Sequence, residues 1–263
     1  MISVKNLTKK FADFTAVDNI NFDIAKGEFA AFLGPNGAGK TTTIKMLTTL
    51  LHPTSGTIKL NGVDPTRDSF GARRSFGIVF QDPSLDDELT AIENMRLHAV
   101  LYNIDIKDQE PKIVKLMQFV DLWDRKDSLV KTFSGGMKRR LEIARSLLHE
   151  PAVLFLDEPT AGLDPQTRNQ MWEYIERLNK EKGMTVLFTT HYMEEAEKYA
   201  RRVLIIDHGK IIKDGAPKDL NAETGATSLE EAFLKLTGRK IREETISAAD
   251  QMRQNRRLWN KSR

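Results

Sequence analysis

The chain contains no cysteine, which excludes disulfides, thiolate metal sites and a cysteine nucleophile. That composition fits a reducing, cytosolic setting. No run of about 18 apolar residues is present, so no segment reads as a membrane-spanning helix. The opening residues, MISVKNLTKK, lack a long apolar core and do not read as a signal peptide. Neither an internal repeat nor a low-complexity segment is visible.

What is present is an ordinary soluble balance, with 29% charged and 40% hydrophobic residues in 263. That length supports a substantial core, as one large domain or two small ones. The formal charge is +3, unevenly spread: residues 239–263 hold eight Lys/Arg against Glu243, Glu244 and Asp250, leaving a remainder of −2. A basic tail on a near-neutral body could meet anionic lipid or nucleic acid. A solvated helix is the commoner meaning of such a charge run.

Residues 29–42, FAAFLGPNGAGKTT, organise the rest. An apolar run reads as a buried strand and empties into Gly34-Pro35-Asn36-Gly37-Ala38-Gly39-Lys40-Thr41. This fits G-x-x-x-x-G-K-[ST] at every specified position. Ile44, Leu47 and Leu51 follow at helical spacing. Glycines let backbone N–H groups crowd a phosphate, and the helix end points its unpaired amides at the same anion. Lys40 is expected to reach the β- and γ-phosphates, and the Thr41 hydroxyl to ligate Mg²⁺. Thr42 is placed to bond a phosphate nearer the ribose. A chance match is expected in roughly one chain in a hundred of this length, and the flanking strand and helix lower that further.

Elsewhere, residues 2–7 and 19–24 read as antiparallel strands, and residues 57–60 as a short strand ending in an Asn61-Gly62 hairpin turn. Residues 76–80 form another apolar run. From 89 to 148 the period becomes helical, with one stripe at Ile113, Leu116, Met117 and Val120 and another at Met137, Leu141, Ala144 and Leu148. Strand signals return at 153–156 and 185–188, around a helix near Met171, Ile175 and Leu178. That alternation implies a parallel sheet with crossover helices. Residues 203–206 and 210–213 read as a terminal hairpin. Ser228-Leu229-Glu230-Glu231 reads as a capping box opening a helix with Leu229, Phe233 and Leu236 inward.

Three further clusters carry chemistry. Asp157 and Glu158 end a buried strand, where alternation predicts that the two carboxylates face opposite ways. Asp157 is expected to orient Mg²⁺, and Glu158 to face the γ-phosphate as general base or water-orienting group. Ser134-Gly135-Gly136-Met137-Lys138-Arg139-Arg140 opens a helix with small residues, a second anion-binding helix end. Thr190-His191 places an imidazole at a strand end, where a structural histidine is the commoner meaning.

Taken in order, GPNGAGKTT, Gln81, SGGMKRR, LFLDEP, AGLD at residues 161–164 and His191 resemble the motifs of ATP-binding-cassette ATPases, over residues 2–215. The variant SGGMKRR, with TTTIKMLTTLLHPTSG and SLEEAFLKLTG, is similar to the drug-exporting branch that includes daunorubicin exporters. The resemblance implies an α/β fold: a P-loop NTPase core with a parallel sheet and flanking helices, an N-terminal antiparallel β subdomain and an inserted all-helical subdomain. It implies a core in two parts, residues 1–84 and 151–220, a helical subdomain at 85–150, and a C-terminal helix and tail at 221–263. Phe11 matches the aromatic that stacks on adenine. Gln81 matches the residue linking Mg²⁺ and the attacking water to the helical subdomain. Ser134, Gly135 and Gly136 match the loop that contacts the γ-phosphate of ATP held by the opposite subunit. Asp164 matches the dimer-interface loop, and His191 the switch that bonds the γ-phosphate. The usual leucine before SGG is Phe133 here, and the usual glutamine after it is Met137.

The family's arrangement implies a head-to-tail pair of cassettes, expected as a homodimer, binding ATP and Mg²⁺ and driving a membrane-spanning permease. The expected place is the cytoplasmic face of the membrane, with no nucleic-acid partner and with export of a drug-like or lipophilic compound. A soluble cassette ATPase is the first competitor. Those on ribosomes usually carry two cassettes and those on DNA long coiled coils, and this chain has neither. Import is the other. A binding-only regulator is expected to lose Glu158 or His191, and both are present. A GTPase is disfavoured because no [NT]-K-x-D motif occurs; Asn179-Lys180-Glu181-Lys182 comes nearest and lacks the aspartate.

Overall fold

The chain opens on an antiparallel hairpin, β1 (Ile2–Phe11) and β2 (Phe14–Ile24), in a computed structural model that describes residues 1–238. The basic tail from Arg239 onward lies outside the described residues. Both strands run longer than their sequence pattern suggests, meeting at a tight turn that pairs Phe11 with Phe14. Register shifts between Val4 and Lys10 break the two-residue alternation, which hides the strands' inner ends from a pattern reading. β3 (Phe29–Leu33) then leads to α1 (Lys40–Leu47), and β4 (Ser55–Leu60) returns to the other edge of β1, giving the order β2-β1-β4. The turn at Asn61 and Gly62 exists, with φ of 50° and 85°, but it closes only the single Leu60–Val63 pair. No second strand follows, and residues 64–68 run on as coil and turn.

After α2 (Ser69–Ser75) come the remaining strands: β5 (Phe76–Val79), β6 (Val153–Asp157), β7 (Thr185–Thr190), β8 (Arg202–Asp207) and β9 (Lys210–Gly215). With β3 they form a six-stranded sheet, β5-β6-β7-β3-β8-β9, parallel except for the β8–β9 hairpin. Both faces are covered, so β3, β6 and β7 are buried along their whole length and mostly apolar. Alternation survives as a division between two cores. Phe29, Ala31 and Leu33 pack on the helical side with Leu154, Leu156, Val186 and Phe188. Ala30 and Phe32 pack on the other side, with Phe155, Leu187 and the inner face of the antiparallel sheet. Phe32 meets Phe22 edge-on at 5.1 Å, locking the two sheets together.

Between β5 and β6 lie α3 (Ala91–Leu101), α4 (Ile106–Phe119) and α5 (Gly135–Ser146). The stripe Ile113, Leu116, Met117 and Val120 is buried, as are Leu141, Ala144 and Leu148. α6 (Pro165–Lys182) starts with Asp164 as N-cap and Pro165 in its first turn, and ends on Gly183 in the left-handed conformation, the arrangement that helix-end chemistry favours. α7 (Met193–Tyr199), α8 (Pro217–Thr224) and α9 (Leu229–Thr237) complete the described chain. Ser228 caps α9 by accepting from Glu231 N. The reciprocal half of the expected capping box is absent there, since the Glu231 carboxylate is taken by the Thr227 amide and hydroxyl.

Candidate active site

Gly39 sits at the N-terminus of α1 with φ 108° and no side chain to cap the helix. A Cβ there would lie 2.7 Å from the Ala16 carbonyl. Glycine is therefore required by close approach to β2 as well as by conformation, a reason invisible in the motif. The Lys40 ammonium is buried inside the loop that precedes it. It donates to the carbonyls of Gly34 at 2.8 Å and Pro35 at 3.1 Å, and lies 3.4 Å from Glu158 Oε1. Ala38 N donates to Pro35 O at 3.2 Å, while Asn36 and Gly37 are exposed at the crest of the loop. Thr42 is half-buried on the first turn of α1.

One residue further, Thr41 Oγ1 donates to Asp157 Oδ1 at 3.1 Å. The same carboxylate oxygen accepts from Thr189 Oγ1 at 2.6 Å, and that hydroxyl in turn accepts from Glu158 N at 3.0 Å. Thr189 thus fixes both acidic residues, although nothing in the apolar run of β7 marks it. Glu158 lies beyond the end of β6 at φ 47°. The divergence of the two carboxylates comes from this left-handed turn, and strand pleating does not reach Glu158. Such a conformation costs a non-glycine residue of order 1 kcal/mol or more and gathers at functional sites.

His191 Nδ1 stands 3.3 Å from the same Glu158 Oε1, near enough for charge attraction but off the line of a hydrogen bond. Its setting is a buried polar bracket. Glu195 on α7 accepts from Thr160 Oγ1 at 2.6 Å and from Thr190 Oγ1 at 2.9 Å, with Arg168 Nε 3.7 Å away. The segment after Glu158 and the residue before His191 are therefore tied to one side chain.

The electrostatics are those of opposed charges held out of water. Burial pushes the Glu158 carboxyl up, but His191 and the Lys40 ammonium beside it pull it below the usual range. Burial holds the Asp157 carboxyl above its usual value, against the hydrogen bonds from Thr189 and Thr41. Burial likewise lowers Lys40, and the charge of Glu158 opposes it. Among the described residues no cluster of three His, Asp, Glu or Cys side chains forms a self-sufficient metal cage. One threonine hydroxyl touching one carboxylate instead fits Mg²⁺, which takes few protein ligands and completes its shell with phosphate oxygens and water.

The other expected residues lie apart from this centre. Gln81 is exposed, and its backbone carbonyl is held by Arg139 Nη2 at 2.8 Å; no described hydrogen bond joins its side chain to Thr41 or Asp157. Ser134 and Gly135 are exposed, and Ser134 Oγ caps α5 by accepting from Met137 N at 3.3 Å. Gly136 is buried, where a Cβ would come 2.3 Å from Thr167 Cγ2. Phe133 occupies the core, so the departure from leucine is absorbed by packing, and Met137 is half-buried against the same cluster. Asp164 accepts from Thr167 N and Thr167 Oγ1 at 3.0 and 2.6 Å, bonds that hold its carboxyl below the usual range. Phe11 is 45% exposed, with the Lys9 ammonium 5.1 Å from its ring centre. Its hairpin is joined to the glycine loop through Gly209, which accepts from Asp18 N and donates to Ala38 O.

Comparison with known proteins places the chain among relatives of known family. The family model described as ABC transporter matches residues 17–161. The chain is 40% identical over 229 residues to the daunorubicin resistance ATP-binding protein DrrA3 of Streptomyces coeruleorubidus, covering 87% of this chain and 72% of the relative. It resembles a solved ATP-binding subunit of an ABC transporter with TM-score 0.82 and 32% identity, over 90% of this chain and 99% of that one. A dimeric ATP-binding cassette in a post-hydrolysis state, bound to ADP and Pi, gives TM-score 0.74 and 27% identity over 82% and 98% of the two chains.

Proposed function

Because this chain belongs to the ABC transporter family and is an ATPase, we propose that it is the energy-supplying subunit of a membrane exporter for a drug-like or lipophilic compound. The name of its relative, a daunorubicin resistance ATP-binding protein, supports that class of substrate. Among the described residues no helix is long and apolar enough to cross a membrane. In this reading the pore belongs to a separate permease, and this chain works at the cytoplasmic face, paired with a second copy. Residues 1–84 and 151–220 then form the nucleotide-binding core, residues 85–150 the helical subdomain that carries the SGGM motif, and residues 221–263 the C-terminal helix and basic tail.

The observation that carries the reading is the meeting of Lys40, Thr41, Asp157, Glu158 and His191 at one loop, with Glu158 Oε1 within 3.4 Å of Lys40 Nζ and 3.3 Å of His191 Nδ1. ATP lies along the glycine loop, and Lys40 exchanges its loop carbonyls for β- and γ-phosphate oxygens. Phe11 stacks on adenine. Thr41 and Asp157 would hold Mg²⁺, with Gln81 as a further ligand, and the metal would supply charge neutralisation at the phosphates. The ionised Glu158 orients a water and takes its proton as the water oxygen attacks the γ-phosphorus and the bond to the β-phosphate oxygen breaks. His191 bonds the γ-phosphate. The second subunit closes the site with Ser134, Gly135, Gly136 and the loop carrying Asp164, placing a helix N-terminus over the anion.

Co-purification tests this directly. A membrane subunit is expected to accompany the chain, and inverted vesicles holding both should accumulate a labelled lipophilic compound only with ATP. Vesicles that hydrolyse ATP but move no lipophilic candidate would remove the exporter reading.

A further inference from the structure

Arg139 and Glu142 lie three residues apart on α5, their side chains 5% and 1% exposed and ion-paired at 3.0 Å. Burial lowers the Arg139 pKa against the charge of Glu142, so both ions carry a desolvation cost. An apolar pair of similar volume would fill the space without that cost. What it could not do is hold backbone.

All the remaining hydrogen bonds of this pair fall on one short segment, residues 80–84, which continues from β5. Arg139 Nη1 donates to the Phe80 carbonyl and Nη2 to the Gln81 carbonyl. Glu142 Oε1 accepts from Ser84 N at 2.6 Å and from Ser84 Oγ at 3.1 Å. Arg145, on the same helix, donates to the Ser84 carbonyl at 2.9 Å. The segment is thus fastened at both ends to one face of α5. The helix itself begins at the Ser134 cap, five residues from Arg139, or about 7–8 Å along a rigid rod.

We propose that Arg139 and Glu142 are a positioning pair that makes the Gln81 segment and the Ser134–Gly136 loop move as one body. Nucleotide contact at Gln81 in one subunit then sets the aim of the helix end that the same subunit offers to its partner's ATP. This rests on the two-sided ATP site of the preceding reading. Neither side chain touches nucleotide; they act through the backbone of Gln81 and the axis of α5.

The test compares Glu158→Gln as parent with the parent carrying Arg139→Met and Glu142→Met. Three quantities are read on each: melting temperature, binding of a fluorescent ATP analogue by the single chain, and ATP-dependent pairing by light scattering. We expect a double variant that still folds, melting somewhat below its parent because the backbone of residues 80–84 loses partners, with analogue affinity within about twofold, but needing at least about tenfold more protein to pair, a cost of about 1.4 kcal/mol. In the active chain the same pair of substitutions should lower kcat with little change in KM. If the double variant pairs as readily as the parent, the proposal is overturned. A parent that itself never pairs with ATP overturns the two-sided site, and the proposal with it. Should the double variant fail to fold, Arg139→Lys decides: it keeps the ion pair but can reach only one carbonyl, so weakened pairing at an unchanged melting temperature is expected, and undiminished pairing contradicts the proposal.

Discussion

Lys40 Nζ and Glu158 Oε1 stand 3.4 Å apart, both side chains almost wholly buried. One belongs to the glycine loop and the other to the turn after β6, so this contact joins the phosphate grip to the candidate base. Glu158→Gln keeps the shape and loses the charge. Turnover should drop by about two to three orders of magnitude, the usual cost of one catalytic group, with ATP binding retained. Steady-state hydrolysis together with analogue titration checks both halves, and near-normal turnover would refute the assignment.

Thr189→Val removes the hydroxyl that serves both Asp157 and Glu158 N. A buried amide loses a partner and a buried carboxylate loses a donor, which should cost about 1–3 kcal/mol of stability. Denaturant melts measure that loss. Hydrolysis should also need more Mg²⁺ for half-maximal rate, since Asp157 is then held by Thr41 alone. An unchanged Mg²⁺ requirement would separate Thr189 from the metal ligands.

Glu195→Ala leaves the hydroxyls of Thr160 and Thr190 and the Arg168 side chain facing a hole. We expect about 2–3 kcal/mol of destabilisation and a lower kcat, because the residues flanking Glu158 and His191 lose their common anchor. Glu195→Gln keeps an acceptor and should recover part of both.

Acid lability has an identifiable source in the His98, Tyr102 and His149 stack. Tyr102 lies 3.9 Å from the His149 ring and 4.6 Å from His98. Burial, with Arg145 and His149 nearby, pushes His98 down to about 3; burial also lowers His149, with Arg74 adding to it and the Phe76 carbonyl opposing. Above the unfolded value of about 6.5, His98 is neutral in both states and adds no pH dependence. Below it the unfolded chain takes a proton that the folded chain refuses, so stability falls as pH drops from about 6.5 towards 3. Each such group steepens the slope by at most about 1.4 kcal/mol per pH unit. His98→Gln should flatten the urea-stability curve between pH 6.5 and 5; an unaltered slope would contradict this source.

Much of this was legible in the chain. The glycine loop is local, since its residues are neighbours in sequence and its chemistry follows from their types. The inner strands declare themselves because both sheet faces are covered, as with Phe29–Leu33. Where partners are distant, the signal fails. Thr189 looks like any threonine in an apolar strand until Asp157 is beside it. Arg139 and Glu142 look like a solvated helix face, and only the fold brings the Phe80 and Gln81 carbonyls to them. The small residue at Gly136 was legible as helix-end chemistry, but its packing reason, Thr167 on α6, was not. The bulges in β1 and β2 erased the alternation that would have shown the full hairpin.

A single measurement bears most directly on ATP held between two subunits: the molar mass of Glu158→Gln with and without Mg²⁺ and ATP, by light scattering on a sizing column. The expected result is one chain's mass without nucleotide and twice that mass with it, reverting when ATP is removed. A chain that binds ATP yet stays single at every protein concentration tried would contradict the closed, two-sided site.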